Sequence, residues 1–418
     1  MYVSDGTSAP TGAAGADTSE VALDIEVAMA TAPGLSKIIV YEGKNDDQGV
    51  LNTYARIAND NAAKEVSTSW GSYELGATAS LRNSENTIFQ QMAAQGQSIF
   101  AAAGDGGAYD DGSTLSVDDP ASQPYVTAVG GTTLTADATT GAYMAESSWG
   151  VSANKQGGGG GISSVWAQPS YQAGLATVAN KGCASAASCT NKRMVPDVSL
   201  DANPSSGYPI YVTLPGKSAA WYAIGGTSAA APIWAAFMAI VNQGRVANGS
   251  SRIGFANTAL YQIAQSTLYA STFHDVADSS TNLYYPAVTG YDLSTGLGTI
   301  KGPGLYNALV SGTLPPAAPA SLALISSSTS VTASWTASST AVSYNVYRSA
   351  TGTAGTFGAI ATGVTTLSYA DTTAVGLNYY YVTAVNSAGE SAPSSVQSAS
   401  INQSPPSAPT GLTGMVIK

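Results

Sequence analysis

The sequence predicts an α/β domain on a doubly wound, mostly parallel sheet, followed by an all-β sandwich. Three observations carry this. Helix-like and strand-like stretches alternate from Glu20 to about residue 130. An uncharged helical run, Ala229–Gln243, follows a Gly225-Gly226 turn. Past residue 313 the texture changes to short alternating runs rich in Val, Thr and Tyr.

The elements follow in order. Glu20–Ala30 reads as a helix, stopped by Ala32-Pro33-Gly34 because proline lacks the N–H that a continuing helix needs. Lys37–Tyr41 (KIIVY) reads as a buried strand, Leu51–Ala63 as a helix and Glu65–Trp70 as a strand. Glu85–Gln95 reads as a helix, with strands at Ser98–Ala103 and Tyr125–Val129. Residues 130–215 read as Gly- and Ser-rich loops with short strands. In a parallel sheet of this kind, function gathers at the carboxyl ends of the strands. Pro315-Pro316-Ala317-Ala318-Pro319 reads as a linker, which sets domain boundaries of 1–312 and 313–403. In the second domain the runs Ser330–Trp335, Tyr344–Arg348 and Tyr379–Val385 read as strands. A second proline-rich run, Pro405-Pro406-Ser407-Ala408-Pro409, reads as the start of a further module over 404–418.

Composition narrows the function classes. The chain has 418 residues, 44% hydrophobic and only 10% charged, with a net charge of −11. That balance argues against nucleic acid, which calls for basic patches, and suits an extracellular protein; a monomer is expected. Cys183 and Cys189 stand close together in a Gly/Ala/Ser loop and suit a small disulfide in an oxidising compartment, with two free thiols as the alternative. No signal peptide opens the sequence. Ala219–Val241 carries no charge, but Gly225, Gly226 and Pro232 interrupt it, so it reads as a buried core helix and not a membrane span.

The chemistry centres on Gly225–Pro232 (GGTSAAAP). The glycines permit positive φ and close approach of a substrate strand, and Ser228 then sits in the positive field of a helix N-terminus. That suits a nucleophile; an ordinary helix cap is the plainer reading. A serine nucleophile needs a base. The one histidine, His274, lies in Phe273-His274-Asp275-Val276 among turn residues and suits a surface or capping role. Glu20 and Asp24, four apart, share a face of the first helix. Brought together, two carboxyl groups share a proton and can serve as general base in acid, where histidine would be protonated. Asp105, crowded by glycines after the strand Ser98–Ala103, suits a protonated donor to an oxyanion, with a turn aspartate as its plainer reading.

Together these segments resemble the sedolisins, the serine-carboxyl peptidases. The matching motifs are Glu20–Val27 (EVALDIEV), Ser69–Gly71 (SWG), Ala101–Gly107 (AAAGDGG), Val117–Thr133, Val195–Val198 (VPDV), Gly225–Pro232, and His274–Val276 with Thr289–Gly298 (TGYDLSTGLG), in order over about residues 18–310. The resemblance implies a subtilisin-like fold and a secreted endopeptidase that works through an acyl-enzyme at acid pH. It implies Ser228 as nucleophile, Glu20 as general base, Asp24 as its proton-sharing partner and Asp105 as the oxyanion acid. Ser69, Trp70 and Gly71 would lie along the cleft against a peptide substrate, and Asp118 near the substrate subsites. It implies one structural Ca²⁺ held by the carboxylates of Asp275 and Asp292 and the carbonyls of Val276, Val288 and Gly290. Valine at 288 stands where the family often has glycine. Glu20 also comes early by the family's pattern, so a prosegment and the first strands are expected to lie outside this sequence. The sandwich resembles a fibronectin type III module and suits a spacer, or a polysaccharide or surface contact. Two other classes stay open: a catalytically inactive binding or adhesion protein on a protease scaffold, and a Ser-His-Asp hydrolase using His274.

Overall fold

Two compact units divide the chain, one of residues 1–264 with 268–314 and the other of 265–267 with 315–418. The structure, a computed structural model, describes residues 2–4, 18–173 and 191–401. Cys183, Cys189 and the run 404–418 lie outside the described residues.

The first unit is built on a five-stranded sheet. Its strands are β1 (Glu65–Thr68), β2 (Ser98–Ala102), β3 (Thr127–Ala136), β4 (Tyr143–Ser148) and β5 (Val198–Asp201). The spatial order is β5-β3-β2-β1, all parallel, and β4 runs antiparallel to the far half of β3. Every residue of β2 is buried, as expected for a central parallel strand covered on both faces.

Four helices frame this sheet: α1 (Thr18–Thr31), α2 (Asp47–Asp60), α3 (Ala79–Ala94) and α4 (Thr227–Ala247). Their starts and stops follow local chemistry. Asp46 accepts the Gly49 N–H at 2.8 Å to cap α2, and Asn61 ends that helix in the left-handed region at φ 44°. Thr78 caps α3 through the Leu81 N–H at 3.1 Å. α4 packs against β1, β2 and β3, with Trp234 and Met238 fully or nearly fully buried in the main core. Its indole donates to the Ser199 carbonyl at 3.0 Å, so a core aromatic also satisfies its polar atom. Among the described residues, no helix is long and apolar enough to cross a membrane.

α1 packs against α4 through Leu23 and Val27, which join Ala229, Ile210 and Val212 in a separate apolar cluster. Ile210 and Val212 belong to the hairpin of β6 (Tyr208–Val212) and β7 (Ala220–Ile224). Leu23 has no exposed surface, so truncating it to alanine would cost about 2–5 kcal/mol. This packing sets the face of α1 that carries Glu20 and Asp24 against the start of α4.

The expected strand Lys37–Tyr41 is corrected. The strand is Val40–Glu42, and it pairs in parallel with Tyr2–Ser4, outside the central sheet. Residues 40 and 41 are only partly buried and 42 is exposed, so the run is apolar without being a core strand.

The second unit is all-β and antiparallel. Ala323–Ser326, Val331–Ser334 and Ser368–Asp371 form one sheet. Gly358–Val364, Ser343–Ser349, Gly376–Asn386, Gly389–Glu390 and Gln397–Ile401 form the other. Trp335, Val346, Tyr380 and Val382 fill its core, the inward set of alternating residues that a sandwich needs.

Candidate active site

A cleft of about 410 Å³ opens at the carboxyl ends of the strands and is lined by Ser69, Gly71, Asp105, Asp110, Asp118 and Ser228, among others. Most of these residues come from two strand ends and one helix start. Ser69 follows β1, Asp105 follows β2, and Ser228 is the second residue of α4.

Ser228 owes its setting to its neighbours in sequence. Gly226 adopts φ 109°, a conformation that side-chain-bearing residues avoid, and this turns the chain from β7 into α4. Pro232 has no N–H, so the Ser228 carbonyl has no partner four residues on in the helix. The Ser69 hydroxyl lies 3.3 Å from that carbonyl and 2.9 Å from Asp24 Oδ1. One hydroxyl proton serves one acceptor at a time, and either way Ser69 ties the α1 carboxyl group to the start of α4.

Asp24 is not itself among the cleft-lining residues; Ser69 connects it to them. Burial, first, and the negative charge of Glu20, second, push the Asp24 carboxyl up to about 7, against a smaller lowering by the Ser69 hydrogen bond. The four-residue spacing from Glu20 thus adds to a shift that burial dominates. Asp24 holds its proton through the acid range.

Asp105 is exposed to the cleft, yet the protein packed around its carboxyl group raises its pKa. Hydrogen bonds from Thr227 oppose that shift. The Thr227 N–H and hydroxyl donate to Asp105 Oδ1 at 2.8 and 2.9 Å. A Cβ at position 226 would stand 2.8 Å from Asp105 Oδ2. Glycine there makes room for the acid as well as for the turn.

Asp118 is 5% exposed, and its pKa is driven well above the ordinary carboxylate range by burial and then by Asp110 and Asp119. Among the described residues no hydrogen bond reaches its Oδ1. A Cβ at Gly71 would collide with this carboxyl group, which explains the glycine of the Ser69-Trp70-Gly71 segment. Trp70 does not line the cleft: it is 44% exposed and donates its indole N–H to Asn45 at 3.1 Å. Sequence reasoning missed Asp110. Burial, then Asp105 and Asp111, raise its pKa to about 6. Asp110-Asp111-Gly112 reads as an ordinary turn, and only the fold brings it over Gly104.

His274 lies apart from the cleft lining. It stacks on Tyr143 with ring centroids 4.0 Å apart and planes 9° from parallel, and burial and Lys301 lower its pKa.

Asp275 and Asp292, expected as calcium ligands, both bond the backbone of the 288–290 loop. Asp275 accepts the Gly290 N–H at 3.1 and 3.0 Å through its two oxygens, and the Tyr269 hydroxyl at 3.1 Å. Asp292 is 1% exposed and accepts the N–H groups of Val288, Ser294 and Thr295 at 3.0, 2.8 and 2.7 Å. Burial lifts Asp292 to about 7, and the donors recorded around it are neutral. Val276 is buried beside Asp275. The Asp292 bonds to residues 294 and 295 are those of an Asx turn, and the two carboxyl groups also offer the hard oxygen donors that Ca²⁺ takes. Among the described residues, no group of three or more acidic, histidine or cysteine side chains could hold a metal, so the remaining ligands of such a site would be backbone oxygens or water.

The strand order and the glycine turn into α4 define a subtilisin-like domain, and its cleft lining holds Ser228 with Asp105, Asp110 and Asp118 but not His274. Comparison with known proteins agrees: the model of the subtilase family matches residues 11–267, and the chain belongs to that family, in its serine-carboxyl branch. Kumamolisin from Bacillus sp. (strain MN-32) is 38% identical over 74% of this chain and 54% of its own length. Tripeptidyl-peptidase 1 from Canis lupus familiaris is 29% identical over 70% of this chain and 52% of its own. The solved structure of Pseudomonas sedolisin, a serine-carboxyl proteinase complexed with pseudo-iodotyrostatin, matches with a TM-score of 0.62. It is 30% identical and covers 75% of this chain and 85% of that one. The chain spans about half the length of these two curated relatives.

Proposed function

We propose that this protein is a secreted, acid-acting serine-carboxyl endopeptidase. The observation that carries the reading is the pair of acids tied to the start of α4: Asp24 through Ser69 and Asp105 through Thr227.

In this reading Glu20 takes the Ser228 proton as Oγ bonds to the scissile carbonyl carbon, and the carbonyl electron pair moves to oxygen. Asp24, protonated and coupled to Glu20, orients it and shares its proton. Asp105, neutral in acid, donates a hydrogen bond to the oxyanion, a contribution on the order of 10²–10³ in rate. Glu20 returns the proton to the leaving amine, and water then resolves the acyl-enzyme by the same steps in reverse. Ser69, Gly71 and Asp118 would face the peptide, with Trp70 at the rim. The raised pKa values of Asp24, Asp105 and Asp110 support a working form in acid.

One Ca²⁺ would be held by the carboxylates of Asp275 and Asp292 and the carbonyls of Val276, Val288 and Gly290. Bound there, it would supply charge neutralisation and a cross-link between the two loop segments. The second unit would act as a spacer, or as a contact with polysaccharide or a surface.

The test is hydrolysis of a denatured protein across the pH range by the full-length, processed protein and its Ser228→Ala and Glu20→Ala variants. Activity below about pH 5, lost in the first variant and nearly so in the second, is expected for a carboxyl base matched to its working pH. Full activity in Glu20→Ala contradicts the mechanism. Inertness of the processed protein at every pH favours a binding or adhesion protein on a protease scaffold.

A further inference from the structure

Thr227 is wired into the oxyanion acid in a way that a helix-start threonine does not require. The Gly104 N–H donates to its Oγ1 at 3.1 Å, which leaves the hydroxyl proton directed elsewhere. That proton and the Thr227 N–H both go to Asp105 Oδ1, at 2.9 and 2.8 Å. Among the described residues no hydrogen bond is recorded at Oδ2, which stands on the Gly226 side with room made by the missing Cβ. A carboxyl oxygen that accepts two donors has committed its lone pairs. A single acid proton then belongs on the other oxygen.

We infer that Thr227 decides which oxygen of Asp105 carries the acid proton, holding Oδ1 as an acceptor so that the proton resides on Oδ2. This rests on the serine-carboxyl reading above, in which that proton serves the oxyanion. Thr227 is a positioning residue: it borders the cleft but is 1% exposed, and it acts through Asp105. The arrangement also explains why Thr227 directly precedes Ser228. Two adjacent residues at one helix start fix the nucleophile and the acid that stabilises its product.

The hydroxyl has a second effect of opposite sign. Hydrogen bonds from Thr227 lower the Asp105 pKa against the raising effect of burial. Removing the hydroxyl therefore weakens proton placement but extends the protonated form to higher pH. A residue that only supports the fold would not do both.

The experiment compares Thr227→Val with Thr227→Ser. The valine variant is expected to lose about 10-fold in kcat, part of what a whole oxyanion donor contributes. Its KM should stay within about two-fold, and the alkaline limb of its kcat profile should move to higher pH. The serine variant should recover both. Wild-type kcat in Thr227→Val, or a loss of rate with the alkaline limb unmoved, overturns the inference. A turnover-independent reading uses ¹³C carboxyl titration of Asp105 in the Ser228→Ala background. A midpoint raised by Thr227→Val but not by Thr227→Ser supports the role, and an unmoved midpoint refutes it. Should the wild-type protein hydrolyse nothing, the proposed function fails while the titration still decides the role of Thr227.

Discussion

Replacing Asp24 with asparagine isolates the electrostatic strain built into α1. Asparagine keeps the shape and, through its Oδ1, the acceptor that Ser69 uses at 2.9 Å. It removes only the titration. The folded-state pKa of Asp24 rises from 3.8 to about 7, so folded protein binds this proton more tightly than unfolded chain does. Between those two values stability therefore falls as pH rises: the contribution is complete below about pH 4 and lost above about pH 7. Three units correspond to roughly 4 kcal/mol, and solvent screening of a partly exposed group reduces that to about 2 kcal/mol. Urea denaturation at pH 3 and pH 8 reads the difference directly. The wild type should lose about 2 kcal/mol more than Asp24→Asn between the two. The other raised carboxyl groups titrate alike in both proteins and cancel. Stability curves that run parallel for the two proteins would refute the claim that Asp24 is held protonated beside Glu20.

Two more perturbations probe other parts of the site. Gly226→Ala places a Cβ 2.8 Å from Asp105 Oδ2 at a φ of 109°, so kcat should fall by about 10²-fold through displacement of the acid; near wild-type kcat would contradict the tight packing. Calcium in 100-fold excess over its Kd should stabilise the protein by about 2.7 kcal/mol, read as a melting temperature that drops on chelation. That response should vanish in Asp292→Asn, and a chelator without effect on the wild type would remove the site from the account.

The parts of this protein that were legible in its sequence are those written in contiguous residues. Gly225–Pro232 announces its turn and helix because glycine and proline have conformational rules of their own. α1 shows its four-residue spacing of Glu20 and Asp24, and β2 is a short apolar run bounded by a Gly-Asp-Gly turn. What was not legible depends on distant residues. Asp110 enters the cleft only because the loop after β2 folds back over Gly104. The β6–β7 hairpin lies in a stretch of mixed polarity, since only one face of it packs on α1. Lys37–Tyr41 misled because apolar side chains announce burial but not which sheet buries them. The role of Ser69 was hidden for a similar reason: its two acceptors, Asp24 and the carbonyl freed by Pro232, are far apart in sequence.

The central claim is that a carboxyl base, and not the lone histidine, activates Ser228. The pH–rate profile of peptide hydrolysis by Glu20→Ala and His274→Ala beside the wild type tests it most directly. His274→Ala is expected to keep the wild-type profile with its maximum in acid, because His274 stacks on Tyr143 and does not line the cleft, while Glu20→Ala loses nearly all activity. Neutral-pH activity that disappears in His274→Ala and survives in Glu20→Ala would contradict it.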